Sequence, residues 1–113
     1  MGKWNYRLNS GLALREEIDN TDYINEFSAT KILKKILDCY KEFKSKLNKN
    51  DDDYEDCLYS IEGNMMSIED DIEYFDAEDS NGELEEEDIS DTVDNHLADF
   101  YDLCDLYRCW VEI

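Results

Sequence analysis

The chain has no proline and only four glycines in 113 residues. A fold of many tight turns draws on both residue types, so their scarcity argues against a many-stranded β architecture and for long helices. No apolar run is long enough for a signal peptide or a membrane span. A single histidine, His96, leaves no second imidazole for a dyad or a carboxylate–histidine metal cluster. No glycine-rich phosphate loop and no Ser or Cys elbow motif is present. Cys39, Cys57, Cys104 and Cys109 lack C-x-x-C spacing and read as reduced packing thiols in a cytosol-like compartment. An enzyme is therefore not expected, and no cofactor or metal is implied.

Positive charge is the other shortage. Residues 1–50 carry ten Lys and Arg against seven Asp and Glu, a net of +3. Residues 51–113 carry only Arg108 against twenty-four acids, a net of −23, and the two halves sum to the chain's −20. Solubility of a small domain asks for a net charge of roughly 2 to 8 in magnitude. Self-repulsion beyond that costs stability. Nucleic acid and anionic membrane would be repelled as direct ligands, and a basic protein surface is the expected partner.

What is present reads as helix. In residues 51–76, Tyr54, Leu58, Ile61, Met65, Ile68, Ile72 and Phe75 recur in steps of four and three, the seam of an amphipathic helix. Residues 10–20 make a shorter helix, with Ser10 as its N-cap and Leu12, Leu14 and Ile18 as apolar cover. A further helix runs from Tyr23 to about Asn48 on Phe27, Ile32, Leu33, Ile36, Leu37, Tyr40, Phe43 and Leu47, with a candidate break at Ser28-Ala29-Thr30. Its polar face holds Lys31, Lys34, Lys35, Lys41, Lys44, Lys46 and Lys49, which can lie near the acidic helix and offset part of its charge.

The last helix begins near Ile89. At about 100° per residue, Ile89, Val93, His96, Leu97, Phe100, Leu103, Cys104 and Tyr107 share one arc. Asp91, Asp94, Asp102 and Asp105 form a stripe on the opposite side. His96 on the apolar arc is expected to be a hydrogen-bonded core residue. Residues 3–8 alternate apolar and polar side chains as a short strand, with Trp4 and Tyr6 as a lid on the core. Residues 108–113 either finish the last helix or pair with that strand. The expected fold is mainly α, a single helical domain over residues 1–113. It is a small bundle of one short and three longer helices, with room for a two-stranded ribbon formed by the chain ends.

Two stretches invite a functional reading. Residues 76–88 resemble the start of an EF-hand loop, with Gly82 at the sixth position, Asp79 third and Asn81 fifth. Ala77 at the first position cannot ligate, and Asp88 at the twelfth is shorter than the usual glutamate, so a calcium-binding protein is the weaker alternative. The second stretch is the acidic surface itself. Residues 51–76 hold eleven acids and no Lys or Arg, about one charge per ~3.5 Å of helix axis, against one phosphate per ~3.4 Å along a DNA strand. The candidate partner-binding residues are Asp52, Asp53, Glu55, Asp56, Glu62, Glu69, Asp70, Glu73, Asp76, Glu85, Glu86, Asp91, Asp94, Asp102 and Asp105. Glu55, Glu62, Glu69 and Asp76 form a row spaced by seven.

In size, charge and lack of catalytic residues the chain resembles the acidic phage-encoded inhibitors that mimic DNA, including anti-CRISPR and anti-restriction proteins. The resemblance is one of character over residues 51–113 and carries no motif. It implies a non-enzymatic, stoichiometric inhibitor that occupies the basic DNA-binding groove of a CRISPR or restriction nuclease in the bacterial host cytoplasm. The alternative is a helical protein–protein interaction module or homo-oligomer built on the 54–75 seam.

Overall fold

The computed structural model describes residues 6–20, 26–78, 86–107 and 109–111. In chain order these form β1 (Tyr6–Leu8), α1 (Ser10–Asn20), α2 (Glu26–Lys46), α3 (Tyr54–Glu78), α4 (Glu86–Leu106) and β2 (Cys109–Val111). The architecture is mainly helical, as the apolar seams predict. β1 and β2 run parallel, with Tyr6 opposite Cys109, Arg7 opposite Trp110 and Leu8 opposite Val111.

α2 is the helix on which α1, α3 and α4 all pack. It therefore buries more than one face: Ala29, Ile32, Leu33, Ile36, Cys39, Tyr40 and Phe43 all belong to the core. The break considered at residues 28–30 does not occur, and α2 runs through them unbroken. Ala29 and Thr30 are buried there, and small side chains on a packed face let a neighbouring element approach without bending the helix. The proposed start at Tyr23 lies outside the described residues.

α3 lies antiparallel to α2, with Lys44 against Glu62 near the connection and Lys34 sharing a groove with Asp76 at the far end. Its seam is consumed by the chain's own core: Ile61, Ile68 and Phe75 are buried, while Met65 and Ile72 pack half-buried against them. α4 returns antiparallel to α3, and the whole expected arc from Ile89 to Cys104 is buried. Tyr40 of α2 meets Phe100 of α4 edge-to-face, with ring centroids 5.1 Å apart. Such pairs contribute about 0.5–1.5 kcal/mol beyond their burial.

Helix ends depart from expectation in three places. α3 begins at Tyr54, because Asp51, Asp52 and Asp53 form the preceding turn; the Cys57 N–H donates to the Asp53 carbonyl at 2.8 Å. α4 begins at Glu86, so the acidic run leading to Ile89 is already its first turn, where the helix dipole favours negative charge. Ser10 is the first residue of α1 and does not cap it with its own side chain. Glu42 of α2 does so instead, accepting from the Asn9 and Ser10 N–H groups at 2.7 Å each and from the Ser10 hydroxyl at 2.6 Å. Leu12 is exposed and gives the core no cover.

Candidate partner-binding surface

The fold divides the predicted acids into separate groups instead of gathering them on one surface. Three members of the row spaced by seven, Glu62, Glu69 and Asp76, turn toward α2. Lys44 Nζ lies 3.1 Å from Glu62 Oε2. Farther along the same seam Lys34 and Lys41 share an open groove of about 620 Å³ with Glu69, Glu73 and Asp76. Much of the α2 lysine charge is thus placed beside α3 carboxylates, and the expected continuous negative sheet is broken along this line. Surface pairs of this kind contribute roughly 0–1 kcal/mol each, so the arrangement moderates charge more than it secures the fold.

Asp56 and Asp70 stand exposed on α3, and Asp52, Asp53 and Glu55 are exposed at its start. Glu85 lies outside the described residues. Glu86 opens α4, but its side chain lies outside them too, as do the EF-hand-like loop positions 79–85 and the Trp4 lid.

α4 carries the clearest outward array. Asp91, Asp94, Asp102 and Asp105 are all exposed, and they lie opposite the buried arc that includes Val93, Phe100 and Cys104. At ~1.5 Å rise per residue the stripe spans about 21 Å, as two pairs of carboxylates separated by about 12 Å. Because α4 packs on α2 through Phe100, the stripe points away from the lysines of α2. One of its members is placed against the preference of the helix. α4 has no basic residue in its last turn, and an acid there opposes the dipole by about 0.3–1 kcal/mol. Asp105 sits there regardless.

A second feature was not singled out from sequence. On the side away from α2, α3 and α4 leave a groove of about 390 Å³ lined by Tyr59, Gly63, Asn64, Asp99, Asp102 and Leu106, among others. Tyr59 is 82% exposed and Leu106 70%, with Met66 close by on α3 at 67%. A Cβ built at Gly63 meets nothing within 4 Å, so no packing among the described residues requires a glycine there. Mid-helix glycine costs about 0.5–1 kcal/mol relative to alanine. The signal was available: Tyr59, Met66 and Leu106 are apolar residues that fall off the seams, and Gly63 interrupts a helical pattern.

His96, Tyr40 and the four cysteines lie in the core. His96 is buried, and its Nε2–H donates to the Asp71 carboxylate, which is the satisfied core histidine the sequence predicts. The Tyr40 hydroxyl accepts from Asn64 Nδ2 at 3.1 Å, and burial pushes its ionisation up. All four cysteines are free and buried. Burial raises the Cys39 and Cys57 thiols to about 12. Among the described residues, no group of three or more His, Cys, Asp or Glu is arranged to hold a metal ion. Among them, too, no helix is long and apolar enough to cross a membrane. Comparison with protein-family models, with curated proteins and with solved structures finds no match.

Proposed function

We propose that this chain is a non-enzymatic, stoichiometric inhibitor that mimics nucleic acid and occupies the basic groove of a DNA-binding protein. A CRISPR or restriction nuclease is the target that the resemblance to acidic phage-encoded DNA mimics implies. The α4 stripe carries the reading. Its carboxylates are exposed, directed away from the α2 lysines, and in part positioned where they oppose the helix dipole. Charge kept at a cost to the fold, as at Asp105, is charge available to a partner. Lys and Arg that grip phosphates would pair with these carboxylates, giving fast and salt-sensitive association.

The supporting experiment titrates the full chain against a CRISPR or restriction nuclease across a salt series, with and without duplex DNA. The expected result is binding that weakens steeply with salt and competes with DNA. Changing Asp91, Asp94, Asp102 and Asp105 to Asn should lower the affinity by at least about tenfold. Tight binding indifferent to both salt and DNA overturns the reading. Self-assembly through the 54–75 seam has no support, since Ile61, Ile68 and Phe75 are already buried within the chain.

A further inference from the structure

The groove between α3 and α4 sets exposed apolar side chains among its acids and amides, which a surface whose purpose is charge alone does not call for. Tyr59 and Leu106 form its walls at 82% and 70% exposure, and neither belongs to the seams that build the core. Gly63 leaves the middle open, with space beyond it that no described residue fills. A glycine that is costly within a helix and unexplained by internal packing suits close approach by something outside. Asp99 and Asp102 stand along the same groove.

We propose that this groove receives an arginine-bearing amphipathic helix of the basic partner. The partner's apolar side chains lie over Gly63 between Tyr59 and Leu106, and its guanidinium groups meet Asp99 and Asp102. Charge selects the occupant. A second copy of this chain would bring a net charge of −20 and the same carboxylates to the contact, and nucleic acid or anionic lipid would be repelled. Arginine fits better than lysine, because its planar fork pairs with carboxylates bidentately and stacks on a tyrosine ring. The inference rests on the proposed function for the basic character of the partner. To that it adds an apolar contact that salt does not screen.

Two probes of equal charge separate the ideas. One is an amphipathic peptide of about three helical turns, with leucines along one stripe and arginines flanking it. The other is an oligolysine. Both are titrated against the full chain by calorimetry, at low salt and at about 0.5 M salt, where the Debye length falls well below 10 Å. The amphipathic peptide is expected to keep measurable affinity at high salt while oligolysine binding is lost. Gly63→Leu and Leu106→Ser, which leave the net charge unchanged, should each weaken the amphipathic peptide by about tenfold and leave oligolysine binding at low salt unchanged. Gly63→Ala, which favours the helix, should raise the melting temperature and still weaken the peptide, which rules out misfolding as the cause.

Equal behaviour of the two probes, or amphipathic binding untouched by Gly63→Leu, overturns the groove assignment and leaves the electrostatic reading standing. Failure of both probes to bind at low salt overturns both.

Discussion

Lys44 and Glu62 meet at 3.1 Å across the α2–α3 seam, joining the basic half of the chain to the acidic half. The contact decides which acids are turned inward, toward the chain's own lysines, and which are left facing outward. Both side chains are about half exposed, so the pair is screened by water and salt.

Lys44→Ala is expected to lower stability by less than about 1 kcal/mol. For a chain of this size that is a fall of about 4 °C or less in melting temperature. Thermal unfolding over a salt series checks this. The loss should shrink as salt rises, and a loss that persists at high salt would assign the contribution of Lys44 to packing.

Asp105→Asn should behave oppositely to most substitutions. It removes a negative charge from the last turn of α4 and is expected to stabilise the fold by about 0.3–1 kcal/mol at low salt. Denaturant midpoints measure the effect. Destabilisation would show that this acid serves the local fold and is not held at a cost to it.

Glu42 gives the fold an acid-sensitive joint. Partial burial pushes its carboxyl up, but hydrogen bonds from Lys46, the Ser10 hydroxyl and the Ser10 and Asn9 amides outweigh that and hold it at about 2, below the ordinary 4.5. A carboxyl depressed in the folded state contributes stability that is fully present above its unfolded value and is lost as pH falls through its folded value. The contribution is therefore complete above 4.5 and disappears toward about 2. Glu42→Gln should destabilise the chain near neutral pH, and the gap to the parent protein should close over that window. A gap of constant size from neutral pH down to about 2 would contradict the assignment.

The Tyr40–Phe100 contact links α2 to α4 at a fully buried position. Phe100→Ala is expected to cost about 3–5 kcal/mol through lost burial and the cavity left behind. Tyr40→Phe should cost nearer to about 0.5–1.5 kcal/mol, because it removes one hydrogen bond from Asn64 and keeps the ring. Equilibrium urea unfolding of both variants distinguishes them, and similar losses would contradict the edge-to-face packing.

The thiols should be inert in the folded protein. Cys39 and Cys57 are buried, with thiols raised to about 12, so little thiolate exists near neutral pH. Alkylation by iodoacetamide is expected to follow the rate of unfolding and to accelerate in urea. Rapid labelling in native buffer would show that these cysteines open without global unfolding.

Periodicity made the helices legible in advance. The α3 seam and the α4 arc follow from apolar spacing, because a helix must bury one stripe and the chain offers each long helix a stripe to bury. His96 is the clearest case: its place on the apolar arc predicted a buried, hydrogen-bonded side chain, and Asp71 supplies the acceptor. Helix ends were less legible. The Glu42 carboxylate that caps α1 lies more than thirty residues away in sequence, and no local pattern identifies a cap supplied from another helix.

A mainly helical chain with its negative charge crowded into residues 51–113 follows from composition and spacing, which are properties of the chain before it folds. How that charge is distributed follows from packing and from nothing earlier. Antiparallel pairing sets Glu62, Glu69, Glu73 and Asp76 along the lysine-bearing side of α2, while burial of the opposite face of α4 leaves Asp91, Asp94, Asp102 and Asp105 outward. Packing also brings Tyr59, Gly63 and Leu106 into one groove. These residues lie on two helices, and they are neighbours only because α3 and α4 pair.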